Sequence, residues 1–465
     1  MAPVAAPAMG AMNGRPATLS DRRTRALWTT AILLFAFALR VAAAWDWHEA
    51  TISSGRLFRL GDSDSYWVLA NHIARGEAYE YGSPNASIFR APLYPIVLAP
   101  FTLISDPAQA VWLARLCGCA CGTLAVWLVM LIAGRIGGGS AQLLGGCVAA
   151  IYPGAVGMSI VILSESIFCP LMLLVLLGWH TSMQARTVRD VGFLTLLAGA
   201  ASGLAILARP SWLLFMPLAG MLILLVHPRR AYQFRVLLLM ALGCVAVMTP
   251  WWIRNANLTA RFVPTTLQVG ASLYDGLHEG ATGASDENME FVDRFATQQR
   301  QADGALKLPN QPGQAAHDEE TAHAGLVARS TFEYRLNARM QAAAVEWTKK
   351  NVSVAIRLSL VKFARTWSIW PSAGEIGSTA VRAVLTLGCF SVLACAVWAS
   401  WYYRASAQWW IALCWLPAGY FTLLHMVFVG SIRYREPALL VLTALAGCAL
   451  QSLPFIQRQT RKSFD

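Results

Sequence analysis

The chain has 465 residues, of which 56% are hydrophobic and only 13% charged, about half the charged share of a soluble domain. That excludes an ordinary soluble enzyme and points to a large helical membrane domain. The net charge of +12 is not a nucleic-acid footprint, because much of it falls in every second loop between apolar segments, as the positive-inside rule requires.

A spanning helix needs about 20 mostly apolar residues. Candidate spans are 27–45, 109–133, 141–158, 166–182, 191–208, 211–226, 235–252, 380–402, 408–429 and 437–454. The reading is therefore an all-α polytopic membrane protein of about ten spans, within a range of ten to twelve. The basic residues Arg15, Arg22, Arg23 and Arg25 precede the first span. Basic residues recur at Arg135, at Arg186 and Arg189, at Arg229, Arg230 and Arg235, at Arg404, and at Arg458, Arg461 and Lys462. Both termini then face the cytoplasm, and the other loops face outward.

The chain divides into a basic tail, 1–26, a transmembrane module, 27–252, an outward loop, 253–379, and C-terminal spans with a second basic tail, 380–465. The module includes a first long outward loop, 46–108. In that loop "GDSDSYWVLANHIARGEAY" places Asp62 and Asp64 ahead of a helical run at Tyr66, Leu69, Ala70 and Ile73. Asp64 is suited to cap that helix and Gly76 to end it. The run 91–104 carries Pro92, Pro95 and Pro100 and is too short to span, so it reads as interfacial or re-entrant. In the second loop, 275–322 is polar and lacks a clear period. Residues 331–370 read as amphipathic helices. Arg357, Lys362 and Arg365 interrupt the apolar run there, so 353–370 either lies in the interface or forms an eleventh span.

The ten cysteines fall in apolar spans. Of Cys117, Cys119 and Cys121 only the first and last share a helix face, so neither a metal string nor a disulfide framework is implied.

Outward-facing arginines depart from the charge rule. Arg90, Arg209, Arg254, Arg433 and Arg435 all lie at outward span ends or in outward loops. A guanidinium fork suits phosphate oxygens, and the chain carries no nucleotide-binding loop. A lipid phosphate bearing a sugar fits such a set, with the phosphate as leaving group. A carboxylate must then take the proton of the acceptor hydroxyl. Asp62 and Asp64 stand on the right side, and Glu165 lies at the outward end of a span hairpin. His425, inside an apolar span, reads as a satisfied buried histidine.

These segments are familiar in order. "GDSDSYWVLANHIARGEAY", "FRAPLYP", "LSESIF", "LARP", "PWWIRN" with "RFVP", and "RYREPALL" together resemble bacterial membrane glycosyltransferases of the GT-C fold. The resemblance is to family 39 and the aminoarabinose transferases, relatives of the protein O-mannosyltransferases. It implies a polyprenyl-phosphate sugar donor, such as an undecaprenyl phosphate sugar, and a glycan, lipid or protein acceptor. It also implies inverting transfer at the outer face of a bacterial inner membrane. Carried over, it makes Asp62 the catalytic acid of the first loop, with Asp64 beside it, and Glu165 the second acidic position. Arg90, Arg254, Arg433, Arg435 and Lys362 fall to the donor phosphate. Some relatives use a divalent cation and others do not. Asp62 and Glu165 would be the ligands of a magnesium or manganese ion. A transporter or flippase of lipid-linked sugars is the other reading of a polytopic chain.

Overall fold

The computed structural model describes residues 19–82, 86–286, 289–305, 331–372 and 378–453. Seven helices are long and apolar enough to cross a bilayer. They are α1 (Leu19–Ile52), α4 (Pro107–Gly137), α7 (Glu165–Gln184), α8 (Val188–Ala208), α10 (Arg230–Thr259), α15 (Thr379–Tyr402) and α16 (Gln408–Val427). An eighth span is broken into α5 (Gly139–Ile151) and α6 (Pro153–Ile160), bent by 59°. Two shorter apolar segments, Pro210–Val226, which contains α9 (Phe215–Val226), and α17 (Glu436–Ser452), complete the ten expected spans. α17 is buried at every residue from 436 to 449. It is the central helix, apolar all round because protein surrounds it.

The break between α5 and α6 shows how irregular backbone is tolerated at membrane depth. Pro153 has no N–H, so the Ala149 carbonyl loses its helical donor. Arg40 of α1, fully buried, supplies the missing bonds. Its Nη2 donates to Ala149 at 3.3 Å and its Nη1 to Ala150 at 3.2 Å. Its Nε donates to Ser159 Oγ at 3.2 Å. A buried cation is costly unless it is bonded in this way. Gly122 of α4 makes the room: a Cβ there would lie 2.0 Å from Ser159 Oγ. All ten cysteines are free.

The first long loop holds α2 (Gly61–Arg75) and α3 (Leu93–Leu98), followed by a 3₁₀ turn to Leu103. α2 begins earlier than the periodicity suggested. Asp62 and Asp64 both lie inside its first turn, Leu60 is the N-cap without a side-chain cap bond, and Gly76 closes it at φ 69°. Asp64 is therefore an exposed first-turn residue and not the cap.

In the second loop, α10 continues through "PWWIRN" to Thr259, so Arg254 is helical. α11 (Val269–Gly276), α12 (Glu290–Ala305), α13 (Phe332–Lys350) and α14 (Val352–Thr366) follow. α12 lies in the stretch that showed no period, because part of its buried face is polar. Asp303 pairs with Arg335 of α13 at 2.8 Å, and Gln299 Oε1 accepts from Arg339 Nε at 2.7 Å. The remainder of that stretch, from 306, lies outside the described residues. α14 has 15 residues, about 22 Å at ~1.5 Å per residue, short of a hydrocarbon core of about 30 Å. Val354, Ile356, Leu360 and Phe363 are exposed along it beside Arg357, as on a helix lying in the interface.

Candidate active site

The ends of several helices on one side of the bundle meet at one cluster of charge. Glu165 opens α7, Asp62 sits in the first turn of α2, and Arg209 follows the last residue of α8. Each charge complements the partial charge of its helix end. Arg433 lies in a 3₁₀ turn, Ile432–Tyr434, just ahead of α17.

Arg433 is the hub. Its Nη1 is 2.9 Å from Asp62 Oδ2, its Nε 2.5 Å from Glu165 Oε1, and its Nη2 3.3 Å from Glu165 Oε2. Arg90 reaches the other Asp62 oxygen, Nη2 to Oδ1, at 2.6 Å. Arg209 Nη1 is 2.6 Å from Glu165 Oε1. Two carboxylates thus face three guanidiniums, an excess of one positive charge. Glu165 is the floor, its side chain 1% exposed, whereas Asp62 at 33% and Arg433 at 31% form the open side. A ligand arriving from outside meets Asp62 and Arg433 first.

Aromatic rings frame the arginines. Arg90 lies over Tyr66 at 5.2 Å and Arg209 over Tyr434 at 5.6 Å. His425 stacks on Tyr434 with centroids 3.8 Å apart, and its Nδ1 lies 2.9 Å from the Val429 carbonyl oxygen. It packs against the turn that carries Arg433, but its buried Nε2 has no hydrogen-bond partner among the described residues, so the ring is only half satisfied.

Burial alone would raise the Asp62 carboxyl, but the adjacent Arg90 and Arg433 outweigh it and hold the group at about 2. Arg433, disfavoured by burial, is held charged well above its usual range by Glu165 and Asp62. Asp62 and Arg433 are therefore both charged at neutral pH.

The other residues assigned from sequence take different positions. Asp64 is exposed, two residues beyond Asp62 and so turned to the other side of α2, away from the pairings. Arg254 lies over Trp251 at 4.8 Å and Tyr79 at 5.3 Å, on the rim. Arg435 is 1% exposed and donates to the carbonyls of Thr366 and Ser368, so it ties down the end of α14. Lys362 donates to the Val427 carbonyl at 2.7 Å, at the end of α16. A magnesium or manganese ion does not suit Asp62 and Glu165 as they stand. Their four oxygens already accept from three guanidiniums, which would repel a divalent cation. Among the described residues no group of three or more His, Cys, Asp or Glu gathers to hold one.

Comparison with known proteins bears on this arrangement. Residues 89–253 match the family model of dolichyl-phosphate-mannose-protein mannosyltransferases. The archaeal oligosaccharyltransferase AglB from Archaeoglobus fulgidus, solved with an inhibitory peptide and a dolichol-phosphate, superposes with a TM-score of 0.58 at 12% identity, over 96% of this chain. The chain has the GT-C fold. It spans 52% of the length of that enzyme. The apo form of the Archaeoglobus fulgidus oligosaccharyltransferase gives a TM-score of 0.56 at 13% identity, over 96% of this chain and 52% of that one. ArnT from Cupriavidus metallidurans bound to undecaprenyl phosphate aligns over 88% of this chain and 77% of its own, at 16% identity and a TM-score of 0.39. The comparison with curated proteins returned no match. The resemblance to the GT-C fold drawn from the ordered motifs is thus borne out. Within the GT-C fold, the segment matching the family model contains Arg90, Glu165 and Arg209, while Asp62 and Arg433 join them from outside it.

Proposed function

We propose that this protein is an integral-membrane glycosyltransferase. It takes a sugar from a polyprenyl-phosphate donor and passes it to an envelope acceptor at the outward face of a bacterial inner membrane. The observation that carries the reading is the convergence of Asp62 and Glu165, from two separate outward loops, on Arg433 at the exposed end of the bundle.

The proposed chemistry follows from the charges. The donor phosphate competes with the carboxylates for Arg433 and Arg90, which match its oxygens. Asp62 then loses its cationic partners, and its affinity for a proton rises. The acceptor hydroxyl oxygen attacks the anomeric carbon from the face opposite the phosphate. The bond from that carbon to the phosphate oxygen breaks, the lipid phosphate leaves with the electron pair, and Asp62 takes the hydroxyl proton. The arginines stabilise the departing charge, and configuration inverts. Glu165, at the floor, keeps Arg209 and Arg433 in place. A transporter would gather its polar groups near the midplane, whereas this cluster lies at one end of the helices.

The test is a strain lacking the gene, complemented with wild-type protein, Asp62→Asn or Asp64→Asn. Mass spectrometry of lipid-linked sugars and envelope glycans should show donor accumulating and one product missing in the deletion. Asp62→Asn should leave transfer reduced by about 10²-fold or more, with the protein inserted at normal level, and Asp64→Asn should retain most transfer. Full rescue by Asp62→Asn would remove it as the base, and an unaltered deletion strain would sink the glycosyltransferase reading.

A further inference from the structure

Arg90 is carried by an irregular stretch between α2 and α3, yet its guanidinium meets Asp62 at 2.6 Å. Irregular backbone needs an external brace to hold a charge so closely. The brace comes from the second outward loop. Glu333, in the first turn of α13, accepts the Ser87 N–H at 2.8 Å through Oε2. Both its oxygens lie 3.1 Å from the Ile88 nitrogen. Glu333 is 8% exposed and Ile88 1%, so the Ile88 bond is shielded from water and the Ser87 bond partly so. The Ile88 carbonyl in turn accepts the Leu267 N–H at 3.0 Å. Arg90 Nη1 donates to Gln268 Oε1 at 3.2 Å, and Tyr79 donates its hydroxyl to the Arg90 carbonyl at 3.2 Å.

We infer that Glu333 is a positioning residue: from the second outward loop it grips the backbone of the first at Ser87 and Ile88, and so sets where Arg90 presents its guanidinium. The inference rests on the proposed role of Arg90 at the donor phosphate. Among the described residues Glu333 forms no hydrogen bond or ion pair with the charge cluster itself. Removing its carboxylate would leave the half-buried Ser87 N–H and the buried Ile88 N–H without these acceptors, three and two residues before Arg90, and an unmet buried donor costs about 1–3 kcal/mol.

The experiment uses the full chain in lipid nanodiscs, with undecaprenyl phosphate as the probe. Glu333→Gln should speed hydrogen exchange at Ser87 and Ile88 and weaken undecaprenyl phosphate binding by about fivefold. In an Arg90→Ala background the same substitution should cost nothing further, because its effect passes through Arg90. Glu333→Asp, which keeps the charge, should recover part of the loss. A general fold defect would instead lower binding by the same factor with and without Arg90, and that result overturns the inference. Unchanged exchange at Ser87 and Ile88, or unchanged binding by Glu333→Gln, overturns it as well. Wild-type protein that does not itself bind undecaprenyl phosphate overturns the donor reading, and the inference falls with it; the two failures are told apart by the wild-type control.

Discussion

Arg433 bonds two carboxylates at once, and its flat, forked guanidinium is what permits this. A lysine ammonium is a single point of charge and cannot reproduce three divergent bonds to Asp62 and Glu165. Arg433→Lys, although it conserves charge, should therefore weaken undecaprenyl phosphate binding by about tenfold; unchanged affinity in a titration with reconstituted protein would take Arg433 out of the phosphate site. Glu333 makes a different prediction. Burial pushes its carboxyl up to about 7, aided by Glu80 and opposed by the Ile88 and Ser87 N–H groups and by Arg254. An exposed glutamate titrates near 4.5. Between these values the folded protein holds a proton that the unfolded chain has released. The stability due to this group is complete below the ordinary value and is lost as pH rises through about 7. The Tm of purified wild-type protein should thus fall further between about pH 5 and about pH 8 than that of Glu333→Gln. Parallel curves for the two would show that the group does not titrate in this window. The charge that grips Ser87 and Ile88 is one that burial disfavours.

At the scale of elements, the ten spans were legible because a bilayer demands long apolar runs, and little else in a chain looks like that. The outward helices were legible only in part. Asp64 looked like a cap because the apolar period starts at Tyr66, but backbone helix begins at Gly61, where small and polar residues leave no periodic mark. α12 escaped because it buries Asp303 and Gln299 against arginines, and a hydrophobic pattern cannot register polar residues buried in pairs. In the site, Asp62, Glu165, Arg90, Arg209 and Arg433 could be named from their side of the membrane. Their pairing could not, since Arg433 meets Asp62 across 371 positions of sequence. Glu333 gave no signal at all, because its partners are backbone N–H groups 246 and 245 positions away. The topology itself can be checked: a reporter active only outside the cytoplasm, fused at residue 300 in α12, should give signal, and silence there would invert the orientation.

As a whole, the molecule places its two long loops against each other and against the same end of the bundle. α13 holds the first loop through Glu333. α14 is pinned to α16 by Lys362 and Trp367 and to the start of α17 by Arg435. Arg90 and Arg433, the two arginines that pair with Asp62, are thus braced by the second loop, which contributes no charge to the cluster among the described residues.

The surplus positive charge of the cluster has a kinetic consequence. A sugar-bearing lipid phosphate is a diester with one negative charge, whereas the lipid phosphate left after transfer is a monoester of about −1.5 to −2. On the proposed function, three guanidiniums against two carboxylates should therefore hold the spent carrier more tightly than the loaded one. Turnover should be paced by departure of the carrier, and undecaprenyl phosphate should inhibit competitively with an inhibition constant below the KM of the donor. An inhibition constant above that KM would mean that the excess charge is neutralised before chemistry begins. Such product inhibition would couple the rate of glycosylation to how quickly the membrane clears its used carrier lipid.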